Sequence, residues 1–474
     1  MSMLSGDCKS HKKFRKDLRK HWYSFAMPAV GKLVCALSRL LHHGGSALPG
    51  KVIESLDSGF LARTLAALPC GIVLISGTNG KTTTTRMVTS MLRDAGLNVF
   101  TNPTGSNFTR GVVAALAKTM PAFGTKLNAD IAVLELDEAY AVHFVNQVKP
   151  RCSLLLNVMR DQLDRFGEID TTAKLLSNVA AATEGTVVLN REDPRIRALA
   201  SFVPSGTRVQ YFGLDDAVKS MFPTDDDLHN SSEKSENCED VAESKANNLP
   251  KADVVLSKVG DHEAEFILDG KRKTTSVKLD GAYNIFNAAA AATVVRAILA
   301  DAAKQNSTLQ KFDDDALMEA ISHVTPAFGR GEVIEVNGAP VELVLVKNPI
   351  GFRLAIASDH PKNHDTMIAI CDEYADGRDM SWLWDVDFAS FSGTGVACVS
   401  GTRAWDMALR LQYDKVSARN VNTDLEEDTK AFVNGDFSGN AKNAKRIYCT
   451  YTAMLRVRAA LAQLAEVKDV GVGK

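Results

Sequence analysis

The stretch "GIVLISGTNGKTTTTRM" (Gly71–Met87) sets an apolar run against a turn of two glycines, an asparagine and a lysine, and the turn opens directly into four consecutive threonines. A short, wholly apolar run bounded by glycine reads as a buried strand, and the residues after it read as the start of a helix. In such a turn the backbone N–H groups converge on an anion, the helix N-terminus adds partial positive charge, and a lysine supplies a full one. Gly77 and Gly80 let the backbone approach a phosphate closely, Lys81 reaches terminal phosphates, and Thr82 or Thr83 offers a hydroxyl to Mg²⁺. The strict GxxxxGK[ST] pattern is not met, because Ile75 stands where its first glycine would be.

Outward from this loop, the runs "NVFTN", "IAVLEL", "SLLLNV" and "TVVLN" alternate with helical patterns. Spacings of roughly 25 to 30 residues are what parallel strands joined by crossover helices need. The expected fold class is therefore α/β, with a doubly wound parallel sheet in a central domain over 51–329. In such sheets ligands bind beyond the carboxyl ends of the strands, so the polar residues after each strand are the ones to read. Residues 215–250 are acidic, rich in Ser and Asn and poor in large apolar residues, which predicts a flexible surface insertion. Short strands with turn signals follow, then the Ala-rich helical pattern "GAYNIFNAAAAATVVRAILADAA". A second alternating segment, with strands near "VELVLVKN", "MIAICD", "GVACVS" and "RIYCT", predicts a smaller α/β domain over 330–474.

Residues 1–50 read as an N-terminal helical segment. "KKFRKDLRKHW" is basic, and Val30, Leu33, Val34, Leu37, Leu40 and Leu41 then recur on one helix face. Two readings stand: the face packs on the next domain, or the basic stretch lies on a membrane surface. The whole chain of 474 residues is ordinary in composition, with 45% hydrophobic and 24% charged residues and a net charge of -2, so nothing argues for nucleic-acid binding. Its eight cysteines lack any CxxC pair, which predicts a reduced, cytoplasmic protein with no cysteine zinc site. The N-terminus lacks the apolar core of a signal peptide and no membrane span is expected.

"GTNGKTTT", "LELDE", "NVMRDQLDRFGEID", "LNREDP", "GAYNIFNAAAAA" and "FGRGE" fall in the order found in the Mur ligases and folylpolyglutamate synthases, which this chain resembles over about residues 50–332. Those enzymes join an amine to a carboxylate through an acyl phosphate at the expense of ATP. Only about seventy residues precede the loop, where amino-acid-adding Mur ligases carry a full substrate domain, and Gln162 replaces their histidine. The C-terminal "VKNPIGF", "DEYADGRDMSWLWDVDF" and "SGTRAWDMALRL" resemble the MurT branch, the ligase-like subunits of lipid II isoglutaminyl synthases. Many of its members carry a four-cysteine zinc ribbon; here the acidic segment with Cys238 takes its place, and no zinc is expected.

The resemblance implies site roles. Gly77, Thr78, Asn79, Gly80, Lys81, Thr82 and Thr83 would hold the ATP phosphates, with Lys81 and Glu135 catalytic and Mg²⁺ on Thr82 and Glu135. Asn284 would contact adenine, Arg330 a phosphate or ribose, and Asp193 the ribose, although a helix N-cap explains Asp193 as well. Asn287 lies three residues past Asn284 on the same helix face, and Tyr283 stands where the ligases often have histidine. The loop carrying Asp372, Asp376, Gly377 and Asp379, with Trp382 and Trp384 beyond it, reads as a partner surface. There Asp379 would complete the Cys-His pair of a GatD-type glutaminase. None of the cysteines sits in a Gly-x-Cys-x-Gly elbow, so ammonia is expected from that partner. The implied reaction is ATP-dependent amidation of the D-glutamate α-carboxylate of lipid II, at the inner face of the membrane. A stand-alone ligase that adds an amino acid, and a non-catalytic ATP-binding scaffold, are the alternatives.

Overall fold

Strand β1 (Ile72–Ser76) is buried on both faces, and its side chains alternate between two cores. Val73 and Ile75 point into one, and Ile72 and Leu74 into the other. The computed structural model describes residues 22–40, 47–103, 106–159, 169–222, 249–260, 262–278, 282–304, 309, 311–324, 330–357, 361–373, 376–437 and 440–465. Around β1 lie β2 (Val99–Thr101), β3 (Ile131–Glu135), β4 (Cys152–Leu155), β5 (Thr186–Asn190), β6 (Arg208–Leu214), β7 (Val254–Val259), β8 (Glu263–Leu268) and β9 (Lys271–Ser276). They form one nine-stranded sheet in the order β2-β3-β1-β4-β5-β6-β7-β8-β9. It is parallel through β7, and β8 and β9 close it as antiparallel strands. The turn between those two is Asp269-Gly270, both residues at positive φ, the pairing that two-residue hairpins favour. Leu74 lies opposite Leu134 on one side and Ser153 on the other, so the chain reverses its winding at β1. A crevice opens at such a reversal, and the Gly-rich turn leaves β1 there.

Helices cover both faces. One face takes helix Lys81–Asp94 and the long helix Ala282–Ala302, whose alanines 288–292 are all fully buried. This helix is long and apolar enough to cross a membrane, yet 78% of its most apolar window is buried inside the protein. Small side chains let it lie close to helix Lys81–Asp94 and the sheet at once. Val218 and Phe222 belong to this core too, which corrects the expectation of a flexible insertion starting at 215: both are buried, and the Phe222 ring lies 5.0 Å from Tyr283 and 5.5 Å from Phe286. The acidic residues 223–248, with Cys238, lie outside the described residues.

The other face is covered by helices Thr109–Thr119, Glu138–Val145 and Ile169–Ala182 and by the N-terminal helices Met27–Leu40 and Leu48–Leu56. Packing of helix Met27–Leu40 departs from expectation. Its leucine face does not pack on the next domain: Leu33, Leu37 and Leu40 are exposed. Contact runs instead through Met27 and Gly31, where an added Cβ would stand 2.7 Å from the Ala117 Cβ and 2.8 Å from the Ile53 Cδ1. A glycine at the contact lets the helix approach Ala117 and Ile53 closely, and that approach leaves the opposite face turned outward.

The second sheet is built from β10 (Arg330–Val336), β11 (Ala339–Leu345), β12 (Asp365–Ala369), β13 (Val396–Ser400), β14 (Ala418–Val421) and β15 (Lys445–Cys449), ordered β10-β11-β15-β12-β13-β14. Only the β10–β11 hairpin is antiparallel, so β11, β15, β12 and β13 end on one edge. The all-buried alanine seam makes one prediction. Ala290→Leu should destabilise the chain by about 1–3 kcal/mol in chemical denaturation, because no neighbouring space exists for the added atoms; an unchanged midpoint would contradict the packing described.

Candidate active site

The turn after β1 is held in one shape by amides from three other parts of the chain. Gly77 has φ +131° and Gly80 φ +85°. A Cβ at Gly77 would stand 3.0 Å from the backbone N and O of Asn157, and one at Gly80 would stand 2.8 Å from both polar atoms of the Asn287 side chain. Asn157 binds the loop reciprocally: its Oδ1 accepts from Asn79 N at 2.8 Å and its Nδ2 donates to Asn79 O at 3.0 Å. Its backbone oxygen accepts from Thr78 N at 3.0 Å. Two loop amides are thereby committed to Asn157. Anion-binding capacity lies at the start of helix Lys81–Asp94, whose first N–H groups have no carbonyl one turn earlier.

The third support crosses from the second sheet. Lys347 and Asn348 follow β11, and Lys347 Nζ donates to Thr78 O at 3.1 Å. Asn348 Nδ2 donates to Asn79 Oδ1 at 2.9 Å, while Asn79 Nδ2 donates back to Asn348 Oδ1 at 3.2 Å. Asn348 is itself buried, and its Oδ1 also accepts from Gly351 N.

Charge gathers at the carboxyl end of β3. Lys81 Nζ donates to Gly77 O at 2.6 Å and lies 3.2 Å from Asp137 and 3.7 Å from Glu138. Thr82 Oγ1 donates to Glu135 Oε1 at 2.8 Å. Asn102, just past β2, clamps the Glu135 backbone: its Oδ1 accepts from Glu135 N at 3.0 Å and its Nδ2 donates to Glu135 O at 2.9 Å. Two carboxylates, Asp137 and the buried Glu138, thus face one lysine, and a third, the buried Glu135, stands beside Thr82 on the same helix start. A triphosphate could join that excess of negative charge only together with a cation. Glu135 and Thr82 offer one carboxylate and one hydroxyl oxygen, the sparse protein share that Mg²⁺ takes when phosphates and water complete its shell. No denser group of three or more metal-ligating side chains exists among the described residues.

The other expected residues are placed as follows. Asn284 is half-buried at the start of helix Ala282–Ala302, one turn before Asn287. Arg330 opens β10; its side chain lies outside the described residues, as does the segment containing Gln162. Asp193 is an N-cap: its Oδ1 accepts from Arg195 N and Ile196 N, and its Oδ2 from Val158 N at 2.8 Å. Burial raises its pKa against these bonds. In this arrangement Asp193 braces the segment that carries Asn157 and Met159. Thr83 is buried on the phosphate-loop helix.

On the second sheet, the loop after β12 is shaped by Asp376, whose Oδ1 accepts from Thr452 N at 2.7 Å and whose Oδ2 accepts from Glu373 N at 3.2 Å. Desolvation raises the Asp376 pKa, with these bonds opposing it. Gly377 follows at φ +85°. Asp372 accepts from Thr402 Oγ1 at 2.8 Å, and Asp379 accepts from Ser381 N at 2.9 Å. The tryptophan pair divides, which corrects the expectation of two surface aromatics: Trp382 is buried against Phe352, whereas Trp384 is exposed beside Tyr413 with ring centroids 5.1 Å apart. Helix Ala404–Tyr413 adds exposed Trp405, Leu409 and Tyr413 at successive turns of one face.

Residues 75–295 match the Mur ligase middle domain and residues 345–454 the MurT ligase C-terminal domain. The lipid II isoglutaminyl synthase (glutamine-hydrolyzing) subunit MurT of Streptococcus pneumoniae is 31% identical over 447 residues, 88% of this chain and 92% of that protein. The chain belongs to the MurT family. Among solved structures, a pseudomurein peptide ligase type C from Methanothermus fervidus has a TM-score of 0.60 at 16% identity, covering 86% of this chain and 80% of that one. A MurF ligase from Thermotoga maritima in complex with ADP has a TM-score of 0.57 at 16% identity, covering 87% and 83%. This MurT-family chain is therefore a ligase-family enzyme with the Mur ligase fold, and both family matches meet at the phosphate loop through Asn79 and Asn348.

Asn102, Asn157, Lys347 and Asn348 had no assigned role in the sequence reading, although each stands just past a strand's carboxyl end. Asn348→Ala should destabilise the chain by about 1–2 kcal/mol, since it removes both side-chain hydrogen bonds to the half-buried Asn79 amide and leaves it only the contact of its Nδ2 with Met159 Sδ. It should also weaken ATP binding in calorimetry. Wild-type values in both measurements would show that the second sheet does not support the loop.

Proposed function

We propose that this chain is the synthetase subunit of a lipid II isoglutaminyl synthase. It would amidate the D-glutamate α-carboxylate of the lipid II stem peptide to D-isoglutamine, using ATP and ammonia from a GatD-type glutaminase. The observation that carries the reading is similarity to a named MurT subunit over nearly the whole chain, through both the phosphate loop and the Asp379 loop. The division into a central unit over 51–329 and a C-terminal unit over 330–474, and work in the cytoplasm at the inner membrane face, belong to the same reading.

In the proposed reaction a carboxylate oxygen attacks the γ-phosphorus and ADP leaves, giving an acyl phosphate. Ammonia then attacks the acyl carbon, and phosphate departs with one of the original carboxylate oxygens. Lys81 and the helix-start amides hold the phosphates and stabilise charge on the transferring group. Thr82 and Glu135 would hold Mg²⁺, which supplies further positive charge there. Asn284 is assigned to adenine and Arg330 to a phosphate or ribose; Asp193, with its oxygens on backbone donors, acts by bracing.

Ammonia comes from a partner in this reading because none of the cysteines sits in a Gly-x-Cys-x-Gly elbow, and burial pushes the Cys152 and Cys398 thiols up to about 12. The face with Trp384, Trp405, Leu409 and Tyr413 supports docking of the glutaminase on the second sheet. Asp379 would orient that subunit's histidine across the interface.

Co-purified with a glutaminase, the chain should convert lipid II carboxylate to amide with ATP and glutamine, read by mass spectrometry. Turnover with an added amino acid and no partner would mark a stand-alone ligase, and ATP binding without turnover a scaffold. Lys81→Ala should lower the amidation rate by about 10²–10³-fold while the fold persists. Glu135→Gln should do likewise, with partial recovery at high Mg²⁺. Asp379→Asn should suppress the glutamine-dependent reaction and spare the ammonium-dependent one; equal loss of both in an intact complex would place Asp379 in the synthetase chemistry.

A further inference from the structure

Helix Met27–Leu40 is apolar on both sides. The side packed on the protein carries Met27, Pro28, Gly31 and the polar Ser38, with Val30 also against the core. Among its described side chains, every exposed one is apolar: Leu33 at 61%, Ala36, Leu37 at 50% and Leu40 at 75%. Successive 100° steps place these four within one arc of the helix. Single exposed leucines are ordinary, but three in helical register with no polar residue among them are not a solvent face. Large aromatics cluster at the start of this helix. Trp22 is 86% exposed, and Phe25 and Phe123 pair at the surface with centroids 6.2 Å apart, fixed by Gly124 N donating to Phe25 O.

The chain directly before Trp22 supplies the charge. Residues 9–20 hold seven lysines and arginines (Lys9, Lys12, Lys13, Arg15, Lys16, Arg19, Lys20) against one acid, Asp17. An exposed apolar helix face, with exposed tryptophan and phenylalanine just before the helix and a polybasic stretch preceding them in the sequence, matches one kind of surface, a bilayer with anionic headgroups. The apolar arc inserts at the headgroup level, aromatic rings settle at the interface, and the cations neutralise lipid phosphates. We propose that this N-terminal face docks the enzyme on an anionic membrane. The inference rests on the proposed function only in that a lipid-linked substrate gives such docking a purpose.

The test is sedimentation of the full chain with vesicles free of lipid II, made either of phosphatidylcholine with phosphatidylglycerol or of phosphatidylcholine alone. The chain should pellet with the anionic vesicles and much less with the neutral ones, and rising salt should weaken but not abolish binding. The triple variant Leu33→Ser, Leu37→Ser, Leu40→Ser should bind about tenfold more weakly or less. Its thermal unfolding should stay unchanged, because the replaced side chains touch water rather than core. The proposal is overturned if the full chain remains in solution with both vesicles, or if the triple variant binds like the original. It is equally overturned if the variant instead dissolves a dimer or loses the glutaminase, since the face then belongs to a protein. Vesicle binding without amide formation would keep the docking and remove the proposed reaction; amide formation without vesicle binding would do the reverse.

Discussion

Everything at the site depends on a turn whose two glycines have neighbours where side chains would be. Gly77 and Gly80 occupy backbone conformations open to glycine, and Asn157 and Asn287 fill the space a Cβ would need. Three asparagines, 79, 157 and 348, then close the turn with paired amide hydrogen bonds. Each such bond is worth only about 1 kcal/mol net, but an amide buried without its partner costs more, so the set holds together or fails together. A loop ordered in advance loses little further freedom when a phosphate arrives.

That constraint also couples the two sheets. Lys347 and Asn348 reach the loop from the end of β11, and the Asp379 loop leaves the end of β12, two strands away across β15. At the usual strand separation this is roughly 10 Å along one sheet edge. The Thr450 hydroxyl, after β15, ties that strand's end to β12 by accepting from Cys371 N at 2.9 Å and donating to Cys371 O, and Val346 N, after β11, donates to Cys449 O of β15 at 2.9 Å. A partner seated at the Asp379 loop would thus act close to the phosphate loop through short, buried connections.

The phosphate loop, its flanking strand and helix and the strand-end carboxylate Glu135 were legible in the sequence because each is local: a few adjacent residues fix both the backbone and the chemistry. Strands β6 and β14 were not, since "RVQYFGL" and "ARNV" mix polar and apolar residues and pair in the sheet through backbone bonds. Asn157 and Asn348 look like ordinary polar residues until the fold brings them to Asn79. Trp382 and Trp384, two residues apart, gave no sign of which one the fold would bury. The leucine periodicity of helix Met27–Leu40 is plain in the sequence, but the side that packs is decided by Gly31 against Ala117 and Ile53, residues far away in the chain, so Val30 of the expected face meets the core while Leu33, Leu37 and Leu40 do not.

The central claim is that this loop serves to activate a carboxylate by phosphoryl transfer. Lipid II labelled with ¹⁸O in both oxygens of the D-glutamate α-carboxylate tests it most directly, with the co-purified complex, ATP and glutamine. Attack of the carboxylate on the γ-phosphorus predicts that each amide formed is matched by one inorganic phosphate carrying one labelled oxygen. Amide formation with all the released phosphate unlabelled would contradict an acyl phosphate and the role given to the loop.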